Sequence, residues 1–396
     1  MHYFTSYRFF FAVRRPLRAS GITPNRYYSK KCDPLRILFC GSDEFSVASL
    51  NAIHTEHIKD PQTIASIDVV CRPGKRVGRG LKTIREVPIK SAATKLGLPI
   101  HEIDTFTGWT PPTPQGAPIN LIIAVSFGLF VPSRILKGAK YGGLNVHPSL
   151  LPDFRGPAPL HHTLMAGETK TGITLQTLDT KEFDHGLILD QTPAPGFDIP
   201  DPETCDVPRL LSLVSEKGAQ MLLDGIRNRV FVPPLKPISS SSTEGGRALR
   251  RATKIRTEDR HPDWSTWTWD RIRRYQRVIG PLWNTALIRG DSPLPGQATL
   301  RKRIIFTKME GINPSVLGIS PFIVEPGLPF ADARHHTIGN EEALYVFTVD
   351  GSLVRIDELK VEGEKAAPAY KAALKAKLIQ PLETGSSICR FYGPLQ

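Results

Sequence analysis

Short apolar runs alternate with amphipathic stretches along the first part of the chain. Apolar runs of strand length lie at 36–40, 67–71, 120–126 and 143–146. Helical spacing of apolar residues follows at 88–96, 133–137 and 207–227. Strands that alternate with helices form parallel sheets covered by helices on both faces, so this part is predicted to be an α/β unit with a doubly wound, mostly parallel sheet. Ligands of such sheets bind beyond the carboxyl ends of the strands, where we expect the chemistry to lie.

A change of pattern divides the chain. Residues 233–250 are rich in Pro, Ser and Gly and have no apolar periodicity, which predicts a linker. Beyond it, short apolar runs between Gly, Pro and Asp turns predict a smaller β-rich domain resembling an OB-type barrel. A length of 396 residues fits two folded units. The predicted organisation is an N-terminal targeting segment at 1–32, an α/β domain at 33–232, a linker at 233–250 and a C-terminal domain at 251–396.

Composition narrows the class of protein. Hydrophobic residues make up 40% of the chain and charged residues 22%, a balance typical of folded domains. The longest mostly apolar run, 121–131, has 11 residues, whereas a membrane span needs roughly 18. Five scattered cysteines without Cys-x-x-Cys spacing predict neither a zinc site nor a disulfide framework. No phosphate-binding glycine motif is present, so no nucleotide cofactor is expected.

The N-terminal segment carries much of the positive charge. Residues 1–32 contain seven Lys and Arg residues and no acidic residue, interleaved with aromatic and Ser residues. This pattern predicts a mitochondrial transit peptide and a location in the matrix; a secretory signal or a disordered basic tail are the alternatives. Without these residues 44 basic residues face 38 acidic ones, so the net charge falls from +13 to about +6. The remaining excess is concentrated at 247–303, where 14 basic residues meet five acidic ones.

Candidate chemistry follows the run at 143–146. Asn145 and His147 are two apart in an extended segment and therefore project to the same side. An amide and an imidazole side by side can hold a carbonyl oxygen that becomes negative. Asp184, beside a Gly turn, supplies a carboxylate that could orient His147 or relay a proton. These residue types alone leave a buried structural histidine as the simpler alternative.

A longer motif surrounds these residues. The sequence reads Asn-Val-His-Pro-Ser-Leu-Leu-Pro at 145–152, Phe-Arg-Gly at 154–156 and Thr-Gly-Ile-Thr at 171–174. It closely resembles the formyltransferase family that uses 10-formyltetrahydrofolate. Further similarity, including the basic loop at 72–80, extends the resemblance over roughly 36–377. That loop and the second domain make the chain similar to the tRNA-directed members of the family, because the purine-pathway members lack both.

The resemblance implies a fold, a reaction and its participants. The fold is Rossmann-like, and the catalytic residues map onto Asn145, His147 and Asp184. The formyl donor is 10-formyltetrahydrofolate, the acceptor is initiator methionyl-tRNA, no metal takes part, and the protein is expected to be a monomer. The implied substrate-binding residues are Ser149, Leu150, Leu151, Pro152, Arg155 and Gly156. The chain departs from the family at His161, His162 and His185, which receive no role.

Basic residues near the site and in the second domain are candidate tRNA contacts. In the family, the loop equivalent to 72–80 enters the acceptor arm of the tRNA; a solvated basic loop is the alternative. The predicted tRNA-binding residues are Lys75, Arg76, Arg79, Lys82, Arg251, Lys254, Arg273, Arg274 and Arg277.

Two other functions compete with formylation of a tRNA-borne amine. The acceptor could be a small amine, which the basic second domain argues against. The chain could also be an RNA-binding relative without activity, which the presence of Asn145, His147 and Asp184 argues against.

Overall fold

The computed structural model describes residues 30–238, 248–288, 300–316, 325–331 and 343–379. All but the last three residues of the predicted transit peptide, and half of the predicted linker (239–247), lie outside the described residues. The elements before the linker are, in chain order, β1 (Leu35–Gly41), α1 (Glu44–Lys59), β2 (Ile64–Cys71), β3 (Lys75–Val77), β4 (Thr83–Arg85), α2 (Pro88–Lys95), β5 (Ile100–Glu102), β6 (Leu121–Val125), α3 (Ser133–Gly138), β7 (Gly143–His147), α4 (Pro159–Met165), β8 (Lys170–Thr171), β9 (Thr174–Thr177), β10 (Ile188–Gln191), β11 (Phe197–Asp198) and α5 (Val207–Arg227).

Seven of these strands form one large sheet. Its strand order is β10-β9-β7-β6-β1-β2-β5. The five strands from β7 to β5 are parallel, and β9 runs antiparallel to both of its neighbours. The chain adds β2 and β5 on one side of β1 and later strands on the other, so the order reverses between β1 and β6. The prediction of a doubly wound, mostly parallel sheet is confirmed, and a binding crevice is expected at this reversal.

Strand β6 is apolar throughout, and β1 is apolar apart from Arg36, because helices cover both faces of the sheet. Successive side chains of a strand point to opposite faces. Accordingly Ile37 and Phe39 pack in one buried cluster, whereas Leu38 and Cys40 pack in another. No helix in the described parts of the chain combines the length and apolar character needed to cross a bilayer.

Local signals position the helices around the site. Asp43 caps α1, since its Oδ1 accepts a hydrogen bond from the Ser46 amide at 3.1 Å. Helix α5 lies close against the sheet and α1 because it carries glycines where it crosses them. A Cβ on Gly218 would be 2.9 Å from the Phe45 ring, and one on Gly225 would be 2.4 Å from Leu175 Cδ2.

The second part of the chain contains an antiparallel sheet. Its elements are α6 (Trp269–Ile279), β12 (Leu282–Ile288), β13 (Leu300–Ile312), β14 (Leu344–Phe347), β15 (Leu353–Val361), β16 (Ala367–Pro368) and α7 (Ala369–Lys375). The strand order is β12-β13-β15-β14, with β16 paired to β15. The prediction of a β-rich second part is confirmed. Strand β13 is longer than its apolar run because it pairs with β12 at one end and with β15 at the other.

Residues 250–252, at the start of the second part, lie beside the loop that follows β7. Phe154 N donates to Arg250 O at 2.8 Å, and Ala252 N donates to Arg155 O at 2.7 Å. Arg155 and Arg251 form a parallel bridge between the two segments. Gly156 permits this contact, because a Cβ there would lie 2.3 Å from the Ala252 carbonyl oxygen. The loop after β7 is therefore braced by the chain that enters the second sheet.

Arg250 strengthens this contact through its side chain. Its Nε lies 3.1 Å from Asp153 Oδ2, its Nη1 donates to Glu168 Oε1, and its guanidinium carbon sits 3.9 Å from the centre of the Phe154 ring. Burial acts to raise the pKa of the Asp153 carboxyl, but the hydrogen bonds and charge of Arg250 outweigh it and the pKa is lowered. Asp153 is thus stabilised in its charged form by folding.

We expect Arg250→Met to lower the free energy of unfolding by about 1–3 kcal/mol at pH 7, because two partly buried carboxylates lose their donor. A carboxyl whose pKa is lowered by folding stabilises the protein above its unfolded pKa, and that contribution disappears as pH falls through the folded pKa. The difference between wild type and variant should therefore shrink below about pH 4. Urea denaturation at pH 7 and pH 3 measures it, with exposed Arg256→Met as the control. An equal difference at both pH values would contradict the assignment.

Candidate active site

A cavity of about 510 Å³ lies at the carboxyl ends of β1, β6 and β7. Its walls come largely from the segments at 124–131 and 177–184, and much of the surface is apolar. Four polar side chains meet there: Asn145, His147, Gln176 and Asp184. The three residues that sequence reasoning placed at one sheet edge are therefore brought together, at the side of the sheet where the strand order reverses.

Strand β7 positions Asn145 and His147 two residues apart at its carboxyl end. It lies between β6 and β9, and its register places Asn145 opposite Ala124 on one side and Gln176 on the other. Asn145 Nδ2 donates to the Ala124 carbonyl oxygen at 2.9 Å. One amide hydrogen of Asn145 is thereby used by the neighbouring strand, and the other has no partner among the described residues.

His147 is held at both ring nitrogens and is only 5% exposed. Its Nε2 lies 3.0 Å from the Phe154 carbonyl oxygen, and its Nδ1 lies 3.4 Å from Asp184 Oδ1. A carbonyl oxygen only accepts, so Nε2 carries a proton and donates it. Nδ1 faces the carboxylate, which fixes the ring plane between the loop after β7 and the loop that carries Asp184.

The loop between β9 and β10 places Asp184 with its backbone in the left-handed region, at φ +58°. Gly156 N donates to Asp184 Oδ2 at 3.0 Å, which anchors the carboxylate to the loop after β7. The turn is shaped by Asp179 Oδ1, which accepts from Lys181 N at 2.7 Å. Gly186 is required because a Cβ there would lie 1.7 Å from the Thr177 carbonyl oxygen.

Gln176 is a site residue that sequence reasoning missed. It is 1% exposed, and its Nε2 donates to Asn145 Oδ1 at 3.0 Å and to Asp184 Oδ1 at 3.3 Å. Its large polar side chain in β9, between the mostly apolar run at 173–175 and Leu178, is a signal that could have drawn attention to it. The sequence holds no information on the register that sets it opposite Asn145.

The predicted substrate-binding residues divide into two groups. Gly156 lines the cavity. The other five lie outside its lining: Ser149, Leu150, Leu151, Pro152 and Arg155. Two of them brace the loop instead, since Ser149 Oγ donates to Asp153 O at 2.8 Å and Leu151 N donates to Thr174 Oγ1 at 3.1 Å. Their contact with substrate stays a prediction.

The three histidines without a predicted role have distinct surroundings. His161 lines the cavity, and burial, followed by the charge of His162, lowers its pKa. His162 Nε2 lies 2.9 Å from Thr253 O, so it joins the contact with the second part of the chain. His185 Nε2 lies 3.2 Å from Glu182 Oε2 on the loop that carries Asp184.

Several predicted tRNA-binding residues are exposed. Lys75 lies in β3, and Lys82 in the turn before β4, of a hairpin that also carries Arg76. The side chain of Arg79 lies outside the described residues. Five of the predicted tRNA-binding residues are exposed and make no ion pair with any described side chain: Lys75, Arg76, Lys82, Arg251 and Lys254.

The arginines of α6 contact the first part of the chain. Arg273 Nη2 donates to Glu203 Oε2 at 2.7 Å. Arg277 donates to the carbonyl oxygens of Cys205 at 2.9 Å and Pro202 at 3.2 Å. The Arg274 side chain lies against Gly167: a Cβ on Gly167 would be only 1.7 Å from Arg274 Nη1. These contacts join the two parts of the chain, and tRNA binding by the three arginines stays a prediction.

No group of three or more His, Cys, Asp or Glu side chains in the described ranges is arranged to hold a metal ion. Asn145, His147, Gln176 and Asp184 supply amide, imidazole and carboxylate groups that are bonded to one another and to backbone. Such a site can orient a carbonyl group and move a proton.

Comparison with known proteins gives the family. Residues 35–204 match the formyl transferase family model. The mitochondrial methionyl-tRNA formyltransferase of Saccharomyces cerevisiae is 31% identical over 70% of this chain and 76% of its own length. The human mitochondrial enzyme is 29% identical over 70% of each chain, and the Bacillus cereus (strain B4264) methionyl-tRNA formyltransferase is 30% identical over 84% of this chain and 92% of its own. With this similarity over both parts of the chain, the protein belongs to the formyltransferase family, and within it to the methionyl-tRNA formyltransferases.

Proposed function

We propose that this protein transfers the formyl group of 10-formyltetrahydrofolate to the α-amino group of initiator methionyl-tRNA, for translation initiation in mitochondria. The observation that carries the proposal is the convergence of Asn145, His147 and Asp184 on one cavity, in a chain of the methionyl-tRNA formyltransferase family. The mitochondrial location is supported by the yeast and human relatives and by the basic segment at 1–32.

The chemistry requires positioning more than strong base catalysis. An α-amino group has a pKa near 8 and is partly neutral at physiological pH, so it can attack without a strong base. Attack on the formyl carbon places negative charge on the formyl oxygen. The free Nδ2 hydrogen of Asn145 is a donor suited to that oxygen, and donors fixed before the reaction stabilise such charge most effectively.

His147 and Asp184 are suited to proton movement. As the attacking amine loses its proton, the nitrogen of the departing folate must gain one. Asp184 Oδ1, 3.4 Å from His147 Nδ1, provides a carboxylate through which a proton can pass. His147 Nε2 is bonded to the Phe154 carbonyl, so its donation to the formyl oxygen would require exchange of that bond.

The cavity fits a flat, largely aromatic formyl donor. Its volume falls within the range of about 300–1,000 Å³ typical of small-molecule sites. Apolar side chains of the segment 127–131 form one wall. Phe130 and Phe183 meet edge to face at 5.2 Å on the same cavity, and Phe183 is exposed. Aromatic edges and faces of this kind favour planar rings.

One experiment separates this function from its alternatives. The purified protein is incubated with radiolabelled 10-formyltetrahydrofolate and, in parallel, with charged initiator tRNA, charged elongator tRNA and an amino sugar nucleotide. We expect the label on the methionine of initiator tRNA. Label on the small amine alone would favour the small-molecule function, and no transfer to any acceptor would favour an RNA-binding relative without activity.

We predict that Asn145→Ala and Asp184→Ala each lower kcat by about 10²- to 10³-fold, because each removes a group that stabilises charge or moves a proton in the transition state. Binding of folate and tRNA should change little, since the cavity walls remain. Steady-state kinetics with equilibrium binding measures both quantities. Exposed Asn51→Ala on α1 is the control, and near-normal turnover of either site variant would defeat the assignment.

We predict that Lys75→Ala, Arg76→Ala and Lys82→Ala each raise KM for tRNA several-fold without lowering kcat, because each removes an exposed charge on one hairpin. The slope of log KM against log salt should fall by about one for each phosphate that the variant no longer neutralises. Lys59→Ala is the matched control, because Lys59 is exposed at the last residue of α1, whereas the cavity is lined by the opposite end of that helix, at Phe45. Salt slopes identical to wild type would exclude this hairpin from the tRNA interface.

A further inference from the structure

The Asn145 amide lies between a backbone carbonyl, which can only accept, and the Gln176 amide, which turns its nitrogen toward Asn145. The Ala124 carbonyl oxygen can only accept, so it must face the Asn145 nitrogen. Gln176 presents its nitrogen to Asn145 Oδ1 at 3.0 Å. Both neighbours therefore select the same amide orientation, in which one Nδ2 hydrogen is left for the cavity.

The orientation of Gln176 is itself determined. Its Nε2 carries two hydrogens, and two acceptors face it, Asn145 Oδ1 and the Asp184 carboxylate oxygen Oδ1. A flipped Gln176 amide would place its oxygen against both acceptors. Asp184 thus fixes Gln176, and Gln176 in turn fixes Asn145.

The structure assigns to Gln176 the role of a positioning residue, which holds the Asn145 amide with its donor toward the cavity and ties it to the Asp184 carboxylate. This inference rests on the proposed function, since it concerns the donor available to the formyl oxygen. Gln176 acts on the substrate only through Asn145 and Asp184. Those two residues are proposed to act on the reacting groups directly.

A glutamine at position 176 lowers the stability of the fold, which argues that Gln176 does more than fill space in the core. Gln176 Oε1 is buried and has no hydrogen-bond partner among the described residues. A buried acceptor without a donor is destabilising, and an apolar side chain of similar volume would avoid that cost. An amide at this position is explained by the two hydrogen bonds that its nitrogen donates inside the cavity.

Two substitutions test the role by kinetics. Gln176→Met keeps the approximate volume and removes both hydrogen bonds; we expect kcat to fall by about 10- to 100-fold, a part of the loss typical of a missing oxyanion donor, with KM for both substrates within about threefold of wild type. Gln176→Glu faces two acceptors and can donate only when protonated. Relative to wild type, its kcat should therefore fall further as pH rises from 5 to 8.

The control for burial is Gln191→Met. Gln191 is a second buried glutamine, whose Nε2 donates to Leu151 O at 2.9 Å and to Thr174 Oγ1 at 2.8 Å, away from Asn145 and Asp184. Its pH profile of kcat should keep the shape of the wild-type profile. A Gln176→Met variant with wild-type kcat, or one whose KM values rise while kcat is unchanged, would overturn the positioning role.

A double-mutant cycle tests the route through Asn145. In the Asn145→Ala background, Gln176→Met should lower kcat by less than about threefold, because the amide that it orients is gone. The same cycle in unfolding free energies needs no activity, and the double variant should lose less stability than the sum of the single variants. If the wild type formylates no tRNA, the proposed function fails while this stability cycle still tests the hydrogen bond. Additive losses in both cycles would overturn the inference.

Discussion

The backbone at Gly156 is the constraint on which the site depends. Its amide donates to Asp184 Oδ2 at 3.0 Å, and its missing side chain lets the Ala252 carbonyl oxygen approach to where a Cβ would be. With φ +127°, this residue adopts a conformation that side chains other than glycine rarely accept. One position thus fixes the carboxylate that faces His147 and admits the chain that enters the second sheet. A side chain there would have to displace one of the two.

The loop after β7 is held by hydrogen bonds within the loop and by contacts with residues 250–252 of the second part. Arg250 stacks on the Phe154 ring and pairs with Asp153. The Phe154 carbonyl oxygen accepts a hydrogen bond from His147 Nε2. The start of the second part therefore supports the same residue that orients the imidazole. Groups held by such external bonds need less reorganisation when charge develops, which is the physical basis of electrostatic preorganisation. The second part of the chain therefore contacts the loop that forms part of the cavity, in addition to its covalent connection through the linker.

Much of the fold could be predicted because its signals are local. Helix α5 has the predicted bounds, 207–227, since Asp206 caps it and its apolar spacing is helical. The projection of Asn145 and His147 to the same face of the sheet follows from strand geometry alone. The role of Gln176 could not be predicted in this way, because it depends on the register of β9 against β7. The contacts of Arg277 with the first part of the chain are likewise tertiary, and composition marks such a residue only as basic.

The hydrogen-bond inventory of the site matches the reaction proposed for it. Asp184 accepts at both oxygens, and both nitrogens of His147 face protein oxygens. Within the described residues, the two amides leave one donor, on Asn145 Nδ2, and one acceptor, on Gln176 Oε1. A formyl oxygen that becomes negative requires a donor, which Asn145 Nδ2 can supply, whereas Gln176 Oε1 is buried out of reach of a ligand. A site built only for stability would pair these two groups with each other or replace them by apolar side chains. The unused donor of Asn145, in an amide held by other bonds, is the feature expected of a site that stabilises a carbonyl oxygen as it becomes negative.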